Sequence, residues 1–181
     1  MSEVYESIDE ELAGFIASQH VFFVATAPTE GGHVNLSPKG LDTFRILGPN
    51  RVAYLDLTGS GVETIAHLSQ NGRITFMFCA FDGPPAIVRL YGTGRALRLG
   101  SDEYEELAAS FPEQPGARAV IVADIDRIAD SCGYAVPKLT FAEERNVLTR
   151  WAARQTDAEL ADYRQHRNAE SIDGLPGLTS T

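Results

Sequence analysis

Strand-forming stretches in this chain follow one another across short turns rich in Gly and Pro instead of alternating with helices, and this order constrains the fold more than any other feature. Val21 to Ala27 is followed by the turn Pro28 to Gly32 and a returning strand, His33 to Ser37. Thr43 to Leu47 and Arg51 to Leu57 flank Gly48-Pro49-Asn50, and Arg73 to Ala80 and Ala86 to Leu99 flank Asp82-Gly83-Pro84-Pro85. A last strand is predicted over Ala117 to Ala129. Helices enter only at the margins of these pairs. Ser7 with Glu10 forms a capping box that opens a helix reaching His20, and Ser60 with Glu63 opens a second that ends near Asn71-Gly72. Ser101 caps a third, while Thr140 with Glu143 and Thr156 with Glu159 open two C-terminal helices. The tail from Ser171, with Gly174, Pro176 and Gly177, reads as loose. A doubly wound Rossmann sheet is excluded. The expected class is α+β, an antiparallel barrel or sandwich of about six to seven strands.

The 181 residues suit one domain. Acidic residues outnumber basic ones 25 to 15, and a net charge of −10 repels phosphate backbones and anionic lipid, so neither nucleic acid nor membrane is expected as a partner. No apolar run approaches the roughly 18–20 residues of a spanning helix. The acidic stretch Met1 to Glu11 carries no secretory signal, and Cys79 and Cys132 lie far apart. A reduced, cytoplasmic protein is expected. The four histidines show no metal-ligand spacing, no Gly-x-Ser-x-Gly elbow occurs, and no metal is expected.

Two segments carry candidate chemistry. In Leu57-Thr58-Gly59-Ser60-Gly61-Val62-Glu63-Thr64 a strand ends, a glycine turn follows and a helix begins. Helix starts leave amides unpaired and add positive potential, so Thr58, Ser60, Gly61 and Thr64 could cradle a phosphate. The same residues also read as an ordinary cap. No Lys follows the second Gly, so this is not a Walker loop. In the second segment, Asn35-Leu36-Ser37-Pro38-Lys39, alternation sets Asn35, Ser37 and Lys39 on one side of a strand, with Val34 and Leu36 on the other. Lys39 is one of only two lysines, the other being Lys138. That segment suits an anionic ligand or a solvated edge strand ended by Pro38. If the two strands are neighbours in a barrel, Lys39 and the helix start converge, and a phosphorylated cofactor is the ligand they fit.

The runs FFVATAP…GGHVNLSPKG, VAYLDLTGSGVETIAHL…NGRITFMFCAF and RLYGTGRA resemble the pyridoxamine 5′-phosphate oxidase-like, FMN-binding split-barrel family, over about Ser7 to Arg98. The stretch Ser131 to Leu139, SCGYAVPKL, is similar to a motif of one bacterial subgroup. The resemblance implies a split β-barrel over about residues 7–138, a helical extension over about 139–170 and a tail over 171–181, all in one FMN-binding domain. It implies a homodimer with the flavin at the interface, and oxidoreductase activity on a small-molecule substrate. Asn35, Leu36, Ser37, Pro38 and Lys39 match the strand that passes the flavin ring and reaches a phosphate. Leu55 and Asp56 match the neighbouring strand, and Thr58, Ser60, Gly61 and Thr64 match the phosphate turn. Gly61-Val62 stands where pyridoxamine phosphate oxidases carry a basic pair, so amides and hydroxyls would hold the phosphate. Their C-terminal Arg and Trp signature is not recognisable, which argues against vitamin B6 oxidation. No catalytic residue is assigned, beyond the idea that Tyr134 or Lys138 reaches the flavin from a partner subunit. Other readings are a non-catalytic flavin- or haem-binding protein, a deazaflavin (F420) reductase, or an empty scaffold.

Overall fold

The computed structural model describes residues 3–178. Its strands are β1 (Val4–Tyr5), β2 (Phe22–Thr26), β3 (Asn35–Lys39), β4 (Phe44–Gly48), β5 (Arg51–Leu57), β6 (Arg73–Cys79), β7 (Ile87–Arg98) and β8 (Ala117–Ser131). The helices are α1 (Glu10–Ala17), α2 (Glu63–Asn71), α3 (Asp102–Ala108), α4 (Val147–Ala152) and α5 (Asp157–Arg167). The strands form one sheet in the order β3-β2-β6-β7-β8-β5-β4, with β1 also on β8 and every pairing antiparallel. The expected antiparallel α+β class is the one observed.

The sheet curls without closing. β7 and β8 are the long members, at 12 and 15 residues, and each turns with the sheet. Their ladder shifts register between Tyr91 and Gly92. A Cβ at Gly92 would run into the Asp124 carbonyl, so this kink admits only glycine. The free edges are β3 and β4. Side chains rather than backbone hydrogen bonds fill the space between the two halves. Phe44 of β4 packs on Phe78 of β6 and Phe22 of β2 at centroid distances of 4.9 and 5.1 Å. Tyr54 of β5 meets Phe22 and Phe76 edge-on. Leu12 and Ile16 of α1 join this core.

Local signals placed several elements well. Gly72 closes α2 in the left-handed conformation, Ser101 caps α3, and Thr156 with Glu159 forms a complete capping box on α5. Others differ from expectation. α1 begins at Glu10, capped by Asp9 in place of Ser7, because the Asp9 carboxylate accepts from the Leu12 amide at 2.9 Å. β3 lies two residues later than expected, taking in Pro38, whose missing N–H does no harm on an edge strand. Thr140 and Glu143 open no helix. The stretch before α4 is irregular, held by a Leu139 amide bond to the Phe81 carbonyl (2.9 Å) and by Phe141 stacked on His20. Residues 171–178, expected to be loose, fold back. The Asp173 carboxylate accepts from the His33 amide (2.8 Å), and Leu178 packs on the main core. Residues 179–181 of that tail lie outside the described residues. Among the described residues no helix is long and apolar enough to cross a membrane.

Candidate functional site

The site begins with a carboxylate where none should be comfortable. Asp56 lies near the end of β5, in a run of buried apolar residues, and is 1% exposed. A lone buried charge is costly, and two cations compensate for it. Arg118, at the start of β8, donates from Nε to Asp56 Oδ2 at 2.7 Å. Lys39, at the end of β3, donates from Nζ to Asp56 Oδ1 at 3.2 Å and sits 5.5 Å from the Tyr54 ring centre. Burial alone would raise the Asp56 carboxyl, but Arg118 and Lys39 outweigh it and hold the group below its ordinary value. Two cations against one anion leave this centre with a surplus positive charge.

The centre forms a wall of a cavity of about 840 Å³ between β3, the end of β5 and the start of α2. Cavities that take drug-sized ligands run roughly 300–1,000 Å³. Ser37, Pro38, Lys39, Leu55, Asp56, Gly61 and Thr64 line it, as do Arg118 and Val62. The stretch before α4 brings Glu143, Glu144 and Arg145 to its mouth.

Four of the expected residues sit elsewhere. Thr58 is buried beneath the turn, where its hydroxyl donates to the Gly116 carbonyl (2.7 Å) and accepts from Arg164 Nε (2.9 Å). Ser60 is exposed and away from the cavity lining. Leu36 points to solvent at 62% exposure, as the alternation required. Asn35 stands one layer back, donating from Nδ2 to Thr26 and Thr64 hydroxyls (both 3.1 Å) and accepting from Ser37 (2.8 Å). It therefore fixes the hydroxyls of Ser37 and Thr64, which line the cavity.

The expected Ser60–Glu63 box on α2 is not formed. Val62 occupies the N-cap position and gives no side-chain hydrogen bond, and the Glu63 carboxylate accepts from the Ile172 amide at 3.3 Å. The first amides of α2 are thus left without a side-chain acceptor, and the positive end of that helix faces the cavity that Val62, Glu63 and Thr64 line. The ordinary-cap alternative fails on this point.

Two residues that build the site's framework lay beyond sequence reasoning. Arg118 offered one signal, a guanidinium inside the apolar run Ala117 to Ala123. Asn168, after α5, is fully buried and offered none. Among the described residues no group of three or more His, Cys, Asp or Glu is placed to hold a metal ion.

A family model described as pyridoxamine 5′-phosphate oxidase matches residues 8–147. The chain belongs to that family. Within it, the pyridoxamine 5′-phosphate oxidase family protein ustO of Aspergillus flavus is 42% identical over 193 residues, covering 97% of this chain and 78% of that protein. Among solved structures, HupZ of Group A Streptococcus matches with a TM-score of 0.54 at 25% identity, over 67% of this chain and 91% of that one. A Lactobacillus delbrueckii protein provisionally described as a pyridoxamine 5′-phosphate oxidase matches with a TM-score of 0.54 at 20% identity, over 68% of this chain and 94% of that one. These likenesses show the fold, the split barrel of the family, and the unclosed sheet agrees with it.

Proposed function

We propose that this family member is an FMN-binding flavoprotein, an oxidoreductase acting on a small molecule, that works as a cytoplasmic homodimer with the flavin at the subunit interface. The observation that carries the reading is the uncapped start of α2 beside Lys39 and Arg118 on the wall of one cavity. The donor set fits a phosphate monoester: one ammonium, one guanidinium, the Thr64 hydroxyl and free helix amides, with a surplus positive charge. The phosphate would rest there, while Ser37, Pro38 and Leu55 flank the ring. When bound, the isoalloxazine supplies the hydride or electron transfer. The chain's own residues orient it, and the Asp56 ion pairs keep the two cations in place.

A dimer is supported by the face of β3 that turns away from the cavity, where Leu36 is 62% exposed on a free edge, and by Val34 just before the strand, 74% exposed. A second copy is the occupant we assign to it. Tyr134 is 81% exposed and lines no part of its own chain's cavity, which leaves it available to a partner's. At the mouth Glu143 and Glu144 outnumber Arg145, which disfavours a deazaflavin with a polyanionic tail.

The test is the visible absorption spectrum after adding FMN to the purified protein and desalting. A flavin band is expected to remain with the wild type and to weaken at least about tenfold in Lys39→Met, the loss of one charge-assisted contact. A wild-type protein that leaves the column colourless overturns the cofactor assignment. Sedimentation tests the interface separately. Leu36→Glu is expected to shift a dimer to monomer, whereas a monomeric wild type removes the interface from the reading.

A further inference from the structure

We propose that Asn168 is a positioning residue that makes this cavity prefer a phosphorylated ligand over its unphosphorylated counterpart. The inference rests on the flavin reading above and names a selectivity that the reading does not supply. Asn168 follows α5 and is fully buried, yet it does not line the cavity. Its Nδ2 donates to the Gly59 carbonyl at 2.9 Å, and its Oδ1 accepts from Arg118 Nη1 at 2.8 Å. Arg118 Nη2 in turn donates to the Gly61 carbonyl at 2.8 Å. One asparagine and one arginine therefore hold both glycine carbonyls of the turn between β5 and α2.

Peptide planarity turns that into a statement about the ligand. In a trans peptide the C=O and the following N–H point in opposite directions. Committing the Gly59 and Gly61 oxygens to Asn168 and Arg118 aims the N–H groups of Ser60 and Val62 the other way. Glycine at both positions makes rotation of these planes cheap. Unanchored, the turn could present oxygen in place of N–H to an anion. The residues after α5 hold the anchor itself: the Leu178 amide donates to the Asn168 carbonyl (2.7 Å), and Gly177 lies so close to Val62 that a Cβ there would collide with its methyls. Gly59 and Gly61 line the cavity at the helix start that the flavin reading assigns to the phosphate, so the effect is expected on the phosphate.

The experiment compares FMN and riboflavin, which share the ring and differ by the phosphate, in titrations of the wild type, Asn168→Ala and Asn168→Asp. Asn168→Asp keeps the shape and the acceptor for Arg118 but loses the donor to Gly59. Both variants are expected to lose about tenfold in FMN affinity, the order of one or two hydrogen bonds, with riboflavin affinity unchanged. An equal fall for both ligands assigns Asn168 a merely structural role, and no change for either removes it; each overturns the proposal. If the wild type binds neither flavin, the cofactor reading fails, and inorganic phosphate decides this inference by itself. Thermal stabilisation by phosphate that Asn168→Asp abolishes supports the anchor. Stabilisation equal in both proteins, or none in the wild type, overturns it. Should Asn168→Ala not fold, Asn168→Asp carries the comparison.

Discussion

Arg118→Leu is expected to lower the unfolding free energy by about 3–5 kcal/mol, the cost of taking the closer of two cations from a buried carboxylate and leaving two more buried acceptors unpaired. The change leaves the Asp56 carboxylate with Lys39 as its one remaining cation and strands Asn168 Oδ1 and the Gly61 carbonyl. Urea denaturation measures it as a shift in midpoint at an unchanged slope. Arg118→Lys is expected to recover little, since an ammonium cannot fork among three acceptors. Adding Asp56→Leu to Arg118→Leu is expected to return part of the loss, because the buried carboxylate is gone and Lys39, which is partly exposed, can reach water. The pH dependence has a definite sign. In the wild type Asp56 is held below its ordinary value, so its contribution is present above the unfolded carboxylate range, near pH 4, and fades as pH falls. The gap between wild type and Arg118→Leu therefore narrows in acid. A gap that widens below about pH 4 would contradict the ion-pair account.

The second large effect belongs to the aromatic plug. Phe78 is 1% exposed and stacks on its ladder neighbour Phe22 while packing on Phe44 of β4, so the Phe78–Phe44 contact joins the two halves where no backbone ladder does. Phe78→Ala is expected to cost about 3–5 kcal/mol. For a chain of this size that lowers the melting temperature by roughly 10 °C or more. Amide exchange is expected to rise first in β4, whose one strand partner is β5. Loss of protection spread evenly over the sheet would show that the plug does not tie that edge.

What could be read in the sequence follows the range of the interactions. Gly48-Pro49-Asn50, Gly72, Ser101 and the Thr156–Glu159 pair act within a few residues, and each marks a turn, an end or a start where it stands. The polar side of β3 was legible for the same reason, since alternation is local. Ser60 shows where local reading stops. Its spacing to Glu63 makes a good capping box, but Glu63 is taken by Ile172, more than a hundred residues away. Thr58 was rightly placed at the turn and wrongly aimed, because Gly116 and Arg164 claim its hydroxyl from below. Lys39 was expected beside the helix start, and its ion pair with Asp56 was not legible, because that contact crosses between strands. Thr140 and Glu143 have helix-start chemistry, and the tertiary contacts of Leu139 and Phe141 override it.

The separation of these partners along the chain also sets a timetable. Asp56 and Arg118 are 62 residues apart, and Gly59 and Asn168 are 109 apart. At translation rates of about 5–20 residues per second, the turn waits roughly 5–20 s after its own synthesis for the asparagine that orients it. β1 waits longer still for β8. The early hairpins can collapse on the ribosome and the ion-paired wall can close once Arg118 is made, but the turn beside it is anchored only when Asn168 arrives. A nascent chain stalled before α5 would carry the barrel's strands without an ordered turn.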